Sequence, residues 1–226
     1  MNKYDLVNII EQFAPPEFQE KWDCSGWIVE TNQTEINRVM IALTVDEKVF
    51  RQAINKNCDM IISHHPLFKV PLVFRGIDIY CAHTNMDKTL GGTTDTFVEE
   101  LGFHTSPEGD FLRIVEKEIS LKDLTNKIKR LSPNARIVNN NDVKTVLKIA
   151  FCAGSGMDMY EEALQYGCDC FVTGDIKYHS AVDSKIVLID VGHFESEILI
   201  KKVFQSLIKD KVEVIIANEK SPFENI

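Results

Sequence analysis

The sequence feature that most constrains the fold is an internal repeat. Shifted by 110 positions, residues 40–87 align without a gap onto residues 150–197. In this alignment Cys58 falls on Cys168, and His83 falls on His193. The identities are few, but both copies follow the same order of strand, helix, strand, loop and strand. The repeat therefore predicts two related α/β halves.

Apolar runs of strand length alternate with amphipathic segments of helical spacing along the chain. The predicted strands are residues 39–43, 60–62, 77–82, 146–151, 170–172, 186–191 and 212–217. The predicted helices are residues 5–13, 47–56, 97–101, 121–131, 159–166 and 196–208. Residues 138–144 predict a surface turn. This alternation predicts an α/β fold with mixed, largely parallel sheets. A first lobe is expected at residues 1–95 and a second at residues 96–226.

Composition restricts the class of protein. The net charge of −9 argues against nucleic acid or an anionic membrane as the main partner. No apolar run approaches the roughly 20 residues that cross a bilayer, and the N-terminal MNKYDLVNIIEQF lacks the apolar segment of a signal peptide. The six cysteines include no CxxC pair, so buried, reduced thiols of a cytoplasmic protein are predicted. A zinc pair at Cys168 and Cys170 is the weaker alternative, because no second pair accompanies it.

The segment IISHHPLFK places His64 and His65 directly after an apolar run. Neighbouring side chains of a strand point to opposite faces, so both can face one ligand only where the strand ends. Strand ends are also where α/β proteins bind their ligands. The pair therefore predicts part of a binding site, with a purely structural pair of histidines as the alternative.

The motifs HTNMD and HFESE stand at equivalent positions of the repeat, each with a histidine four residues before an acid. Imidazole and carboxylate groups are ligands for zinc, manganese and iron. One tetrahedral ion takes at most four protein ligands, so five donors fit two ions better. The alternative is that the acids only begin helices. The predicted metal ligands are His64, His65, Asp87, His193 and Glu197.

Three polar residues follow the strand end of the second half that mirrors the histidine pair. Lys177 and His179 are predicted catalytic residues, because an acid/base or phosphate-contacting group there would face the metals. A solvated helix start is the alternative. Asp175 is predicted either to orient a ligand histidine or to cap the next helix.

Five blocks of the sequence, WDCSGW, IISHHPLF, AHTNMDKTLGGTTD, TGDIKYH and GHFESE, resemble the signature motifs of the Nif-three-like family. Bacterial members of this family are commonly called GTP cyclohydrolase I type 2. The blocks keep the family's order from Trp22 to Glu197. The resemblance implies a toroidal homohexamer whose subunits have two interwoven α/β lobes and a dinuclear metal centre. It implies the same five metal ligands, and it makes His83 a residue that lines the site.

The sequence departs from the family pattern at two positions. Cys24 and Thr94 stand where the family usually has asparagine. Both changes remove an amide from loops expected to border the site, so they bear on substrate contacts rather than on the metals. Longer members also carry a domain inserted between the halves, and this chain is a short form.

The resemblance implies a hydrolase that binds two divalent ions, zinc, iron or manganese, and opens the imidazole ring of GTP with a metal-activated water. His179 is expected to protonate the departing nitrogen. The small-molecule substrate is expected to be GTP or another nucleotide, although phosphoester and amide hydrolysis would use the same centre. The alternative is a non-catalytic, metal-binding hexamer that acts as a metal chaperone or interaction protein.

Overall fold

The computed structural model describes residues 1–107 and 110–224 of the chain. The helices are α1 (Lys3–Phe13), α2 (Glu47–Asn55), α3 (Thr84–Lys88), α4 (Thr93–Glu100), α5 (Leu121–Leu131), α6 (Tyr160–Gln165), α7 (Tyr178–Val182), α8 (His193–Glu197) and α9 (Ile200–Ile208). The strands are β1 (Gly26–Val29), β2 (Arg38–Ala42), β3 (Met60–Ser63), β4 (Asp78–Cys81), β5 (Ser106–Pro107), β6 (Arg113–Ser120), β7 (Arg136–Val138), β8 (Thr145–Phe151), β9 (Cys170–Thr173), β10 (Val187–Asp190) and β11 (Glu213–Ile216).

The chain divides into two compact units. The first unit comprises Met1–Gly92 and Ile200–Lys220, and the second comprises Thr93–Leu199 with the described residues after Lys220. The interleaving of helices and strands confirms the predicted α/β class. In the described ranges no helix is both long and apolar enough to span a bilayer.

The sheet of the first unit has the strand order β1-β4-β3-β2-β11. β11, β2, β3 and β4 run parallel, and β1 pairs antiparallel with β4. Met40, Ile61 and Ile79 stand side by side across three strands and are buried in one core cluster with residues of α2. Ser63 and Cys81 are paired at the ends of β3 and β4. The residues that follow these two strands therefore emerge at the same edge of the sheet.

The sheet of the second unit has the strand order β5-β6-β8-β9-β10-β7. Its central strands β8, β9 and β10 are parallel, as β2, β3 and β4 are in the first unit, which agrees with the predicted repeat. Of the described strands in this sheet, β5, β6 and β7 pair antiparallel with their neighbours. Phe151, Val172 and Ile189 of the central strands are buried in a core cluster with α5.

The bounds of α5 agree with the predicted helix because its signals are local. Ser120 precedes the helix, and its side-chain oxygen accepts the backbone N–H of Asp123 at 3.1 Å, an N-cap worth about 1 kcal/mol. Leu121, Leu124 and Ile128 are spaced three and four residues apart, so they form one buried face. The helix ends at Leu131, two residues before a proline.

The C-terminal part of the chain differs from the sequence-based expectations. The predicted continuous helix over 196–208 is wrong, because α8 ends at Glu197 and α9 begins at Ile200. The apolar pattern continues through the break, so periodicity alone did not reveal it. Strand β11 pairs with β2 and so joins the first unit, whereas the sequence placed it with the second lobe by chain order.

Candidate metal centre

His64 directly follows β3 in the first unit, and its side chain is fully buried. Its Nδ1 lies 3.1 Å from the backbone oxygen of Ala82. A carbonyl oxygen can only accept, so Nδ1 carries a proton, and in the neutral imidazole the lone pair is on Nε2. Nε2 lies 3.4 Å from Oδ1 of Asp87 on α3. This arrangement leaves Nε2 as the ring nitrogen that could bind a metal ion.

His83 precedes α3 and is oriented by a carboxylate from a distant part of the chain. Its Nδ1 lies 2.9 Å from Oδ1 of Asp23, whose other oxygen accepts bonds from Ser25 and Thr84. Burial raises the pKa of Asp23, but hydrogen bonds from His83 and Thr84, with the charge of His83, together hold that pKa well below its usual range. The ionised carboxylate accepts the proton of Nδ1, so in the neutral form of His83 the lone pair is on Nε2.

Three histidines of the first unit form a compact group. The ring centroids of His64, His65 and His83 are 5.1 to 5.6 Å apart. One ring nitrogen from each lies within 4.8 Å of the others, so the group could hold a metal ion. The sequence interpretation made His83 a residue that lines the site, and the structure places it beside both predicted ligands.

His65 is held by the loop that follows β2. Its Nδ1 lies 2.6 Å from the hydroxyl oxygen of Thr44. The backbone N–H groups of Leu43 and Thr44 both donate to the carboxylate of Glu219, at 2.9 Å each. Lys201 on α9 donates to the same carboxylate at 2.9 Å. The returning C-terminal segment thus fixes the loop that orients His65.

We expect Glu219→Gln to weaken metal binding although Glu219 is not a predicted ligand. The amide has one acceptor oxygen instead of two, so one of the bonds to Leu43, Thr44 or Lys201 is lost and the Thr44 loop loosens. Partners that orient ligands typically contribute about 10-fold or more in metal affinity. Zinc titration of the metal-free protein against a competing chelator measures the change.

Glu213→Gln is the matched control for this prediction. Glu213 lies on β11, in the same C-terminal segment as Glu219, and forms an ion pair with Arg38. Its replacement by glutamine removes the same charge as Glu219→Gln does. We expect this control to bind zinc as the wild type does. Equal affinities of all three proteins would show that Glu219 does not orient His65.

The second unit presents a histidine between two carboxylates. His193 is the first residue of α8, and its Nδ1 lies 2.7 Å from Oδ2 of Asp175. Its Nε2 lies 2.9 Å from Oε2 of Glu197 on the same helix. Burial lowers the pKa of His193, but the hydrogen bonds and charges of Glu197 and Asp175 raise it to about 9. Asp175 is therefore placed to orient this imidazole, the first of its two predicted roles.

Two glycines make room for this histidine and acid. A Cβ on Gly154 would lie 2.1 Å from Oε1 of Glu197, and Gly154 has a positive φ of +67°. A Cβ on Gly174 would lie 2.8 Å from the backbone nitrogen of His193. Gly174 is the repeat equivalent of His64, and the backbone atoms close to it leave no room for a side chain at that position.

The predicted catalytic residues lie beside Asp175 in the chain. Lys177 is exposed and directly precedes α7, whose second residue is the exposed His179. The His179 ring is 5.4 Å from that of Tyr178 in an edge-on arrangement. Their catalytic role stays a prediction.

The two departures from the family pattern lie next to site residues. Cys24 is exposed and follows Asp23, to which its backbone N–H donates at 2.7 Å. Thr94 on α4 is buried, and its hydroxyl accepts the backbone N–H of Ala153 at 3.2 Å. Ala153 immediately precedes Gly154, so Thr94 helps to hold the turn beneath Glu197.

Sequence reasoning did not identify three residues that hold histidines of the candidate site in place. Asp23 lies in the WDCSGW block, so its motif was a signal for a role in the site. Thr44 and Glu219 belong to no motif. Their contacts depend on the pairing of β11 with β2, which the sequence did not predict.

Comparisons with known proteins agree on one family. The family model described as Duf34/NIF3 (NGG1p interacting factor 3) matches residues 1–73 and 69–222. A GTP cyclohydrolase 1 type 2 homolog of Clostridium perfringens is 36% identical over 263 aligned positions, covering 100% of both chains. NGG1-interacting factor 3 of Saccharomyces cerevisiae is 25% identical and covers 95% of this chain and 93% of its own.

A solved structure shares the fold. The Bacillus cereus protein related to NIF3 superposes with a TM-score of 0.85 at 20% identity, covering 100% of this chain and 99% of its own. The sequence motifs, the paired α/β units and the near full-length matches lead to one conclusion: the chain belongs to the Duf34/NIF3 family.

Proposed function

We propose that the chain is a metal-dependent hydrolase with two divalent ions, zinc, iron or manganese, in each subunit. The ligands in this proposal are His64, His65 and Asp87 from the first unit with His193 and Glu197 from the second. Their combination in one centre rests on the internal repeat and on the family resemblance. The relatives' name, GTP cyclohydrolase 1 type 2 homolog, supports a nucleotide such as GTP as the substrate.

The observation that carries the proposal is the bond from His64 to the Ala82 oxygen at 3.1 Å. A buried histidine that served only the core could adopt either tautomer. This backbone acceptor fixes a proton on Nδ1, so neutral His64 would direct the lone pair of Nε2 toward the Asp87 carboxylate. A histidine lone pair beside a carboxylate is the donor set of a transition-metal site.

The ions would supply a water of lowered pKa and a positive charge for the developing oxyanion. Asp23 and Asp175 would hold His83 and His193 in fixed orientations through their Nδ1 atoms. We propose that His179 donates a proton to the leaving nitrogen and that Lys177 contacts substrate phosphate, because both are exposed and follow Asp175 closely. An imidazole can donate a proton near neutral pH, and an ammonium group can pair with phosphate.

We expect Glu197→Gln to abolish turnover, because the amide cannot supply the ligand charge of the carboxylate. The purified protein, loaded with zinc, iron or manganese, is screened against GTP, other nucleotides and phosphoesters. Glu161→Gln on α6 is the control, since Glu161 is exposed and carries the same charge. Turnover that survives Glu197→Gln, or that needs no metal, would contradict the hydrolase.

A second candidate is a non-catalytic, metal-binding hexamer that acts through its partners. The name of the yeast relative, NGG1-interacting factor 3, favours this candidate. A protein of this kind should exchange its metal readily and should turn over none of the screened substrates in any metal form.

We also propose that the protein is a cytoplasmic homohexamer. The family resemblance supports the assembly. The cysteines support the compartment, because all six are free thiols and five of them are buried.

A further inference from the structure

The second unit contains a cavity of about 580 Å³ that the proposed metal chemistry does not use. It lies between α5, the edge strand β7 and the turn that leads into β8. Its volume falls within the roughly 300–1,000 Å³ of small-molecule sites. The residues that line it are Leu121, Lys122, Thr125, Ile128, Lys129, Ala135, Arg136, Ile137, Asn139, Val143, Lys144 and Ile189.

The floor of the cavity is apolar. Leu121, Ile128 and Ile189 belong to the buried core cluster of the second unit, and Ala135 and Val143 pack against that cluster. An apolar group that entered the cavity would therefore contact core carbon atoms and leave water, which is favourable in proportion to the area buried.

The rim of the cavity is basic although the whole chain carries a net charge of −9. Lys122, Lys129, Arg136 and Lys144 line it, and no Asp or Glu of the described residues does so. Arg136 forms an ion pair with Asp190. Lys144 lies 3.7 Å from Asp142, a pair that is almost fully exposed and so contributes little. The rim therefore presents a positive potential above an apolar floor.

The two lysines of α5 are well placed for an anion. Lys122 and Lys129 are seven residues apart, which puts them on the same side of the helix about 10 Å apart. In the described ranges neither forms an ion pair. The opposite rim is held in place by Asn139, whose side chain both donates to and accepts from the backbone of Val143 at 2.9 Å. The cavity is thus bounded by ordered structure on both sides.

We propose that this cavity binds a small organic anion with an apolar body, namely a carboxylate or phosphate on an aliphatic or aromatic skeleton. The anionic group would lie between the rim cations, and the body would cover the floor. None of the described residues that line the cavity is aromatic, so these residues offer no ring on which a nucleobase could stack. The preferred occupant is accordingly a simpler amphiphilic anion than a nucleotide.

The probe for this site is 1-anilinonaphthalene-8-sulfonate, an aromatic anion that fluoresces in apolar surroundings. With the full-length protein we expect saturable binding at one probe per chain. Octanoate should displace the probe, whereas neutral octanol should displace it much more weakly, because the octanoate head group is charged. Displacement by octanol as effective as by octanoate would overturn the anion site.

Variants locate the binding. Lys122→Glu with Lys129→Glu should weaken probe binding by about tenfold or more, since two rim charges are reversed. Lys209→Glu with Lys211→Glu, at exposed positions after α9, makes the same charge change and should bind normally. Thr125→Phe changes no charge but places a ring in part of the cavity, so it should weaken binding. Circular dichroism confirms that each variant is folded.

Unchanged probe binding in the Lys122/Lys129 double variant or in Thr125→Phe would overturn the proposal. An equal loss in the Lys209/Lys211 control would also overturn it, because the effect would then be one of net charge. Failure of these tests would not bear on the proposed metal-dependent hydrolase, since no predicted metal ligand lines the cavity.

Discussion

Replacing His64 or His65 with alanine should leave the chain one tight metal site and one weak site. Adjacent side chains diverge even where a strand ends, so we expect each histidine to serve mainly a different ion. The loss should exceed the roughly 10- to 100-fold effect of removing a partner that orients a ligand. The double variant should bind neither ion tightly, and hydrolysis should vanish in all three variants.

The two single variants should differ in stability. His64 is fully buried and donates to the Ala82 oxygen. His64→Ala removes this donor and leaves the buried oxygen without its hydrogen bond, so the free energy of unfolding should fall by about 1–3 kcal/mol. His65 is only partly buried, and its alanine variant should be closer to the wild type. Neither should unfold at ambient temperature.

Titration of the metal-free variants with zinc in the presence of a competing chelator tests this prediction, and urea unfolding reports the stability. His104→Ala is the control, because His104 is exposed and is not a predicted ligand. If both single variants kept two tight sites, the histidine pair would be structural.

Gly154→Ala should disturb the pair of His193 and Glu197 more than a substitution of any exposed residue of the second unit. An alanine Cβ would lie 2.1 Å from Oε1 of Glu197, whose side chain is buried. Glu197 would have to move away from His193, and the positive φ of +67° adds backbone strain. We expect a loss of about 2–4 kcal/mol in the free energy of unfolding and a loss of the ion that Glu197 is proposed to bind.

Gly167→Ala separates the two causes. Gly167 has a positive φ of +73°, but nothing lies within 4 Å of its added Cβ. Its alanine variant should therefore lose only the roughly 1–2 kcal/mol of left-handed strain and should bind metal normally. Equal stability and equal metal affinity of the two alanine variants would show that the contact with Glu197 is unimportant.

Local signals determined which elements could be predicted from sequence. The predicted bounds of α5 match because the Ser120 cap and the spacing of Leu121, Leu124 and Ile128 all lie within one segment. Strand β6 was missed because its buried residues occupy only its first part and exposed charges fill the middle. The strand's pairing with β8, rather than its own pattern, specifies its structure.

The candidate site was predictable where the parallel register decides it. His64 and Ala82 follow strands that end in register, so the position of the histidine pair could be inferred from the apolar runs before it. Glu219 could not be inferred, because it reaches the Thr44 loop from 175 residues away in the chain. Nothing in its own neighbourhood of the sequence marks that contact.

The number of tightly bound ions per chain tests the central claim most directly. The protein is purified gently, saturated with zinc or manganese, freed of loosely bound metal by exhaustive dialysis, and measured by elemental analysis against its concentration. The five predicted ligands exceed what one ion takes, so we predict close to two ions per chain. A stoichiometry fixed at one under metal-replete conditions would contradict the dinuclear centre.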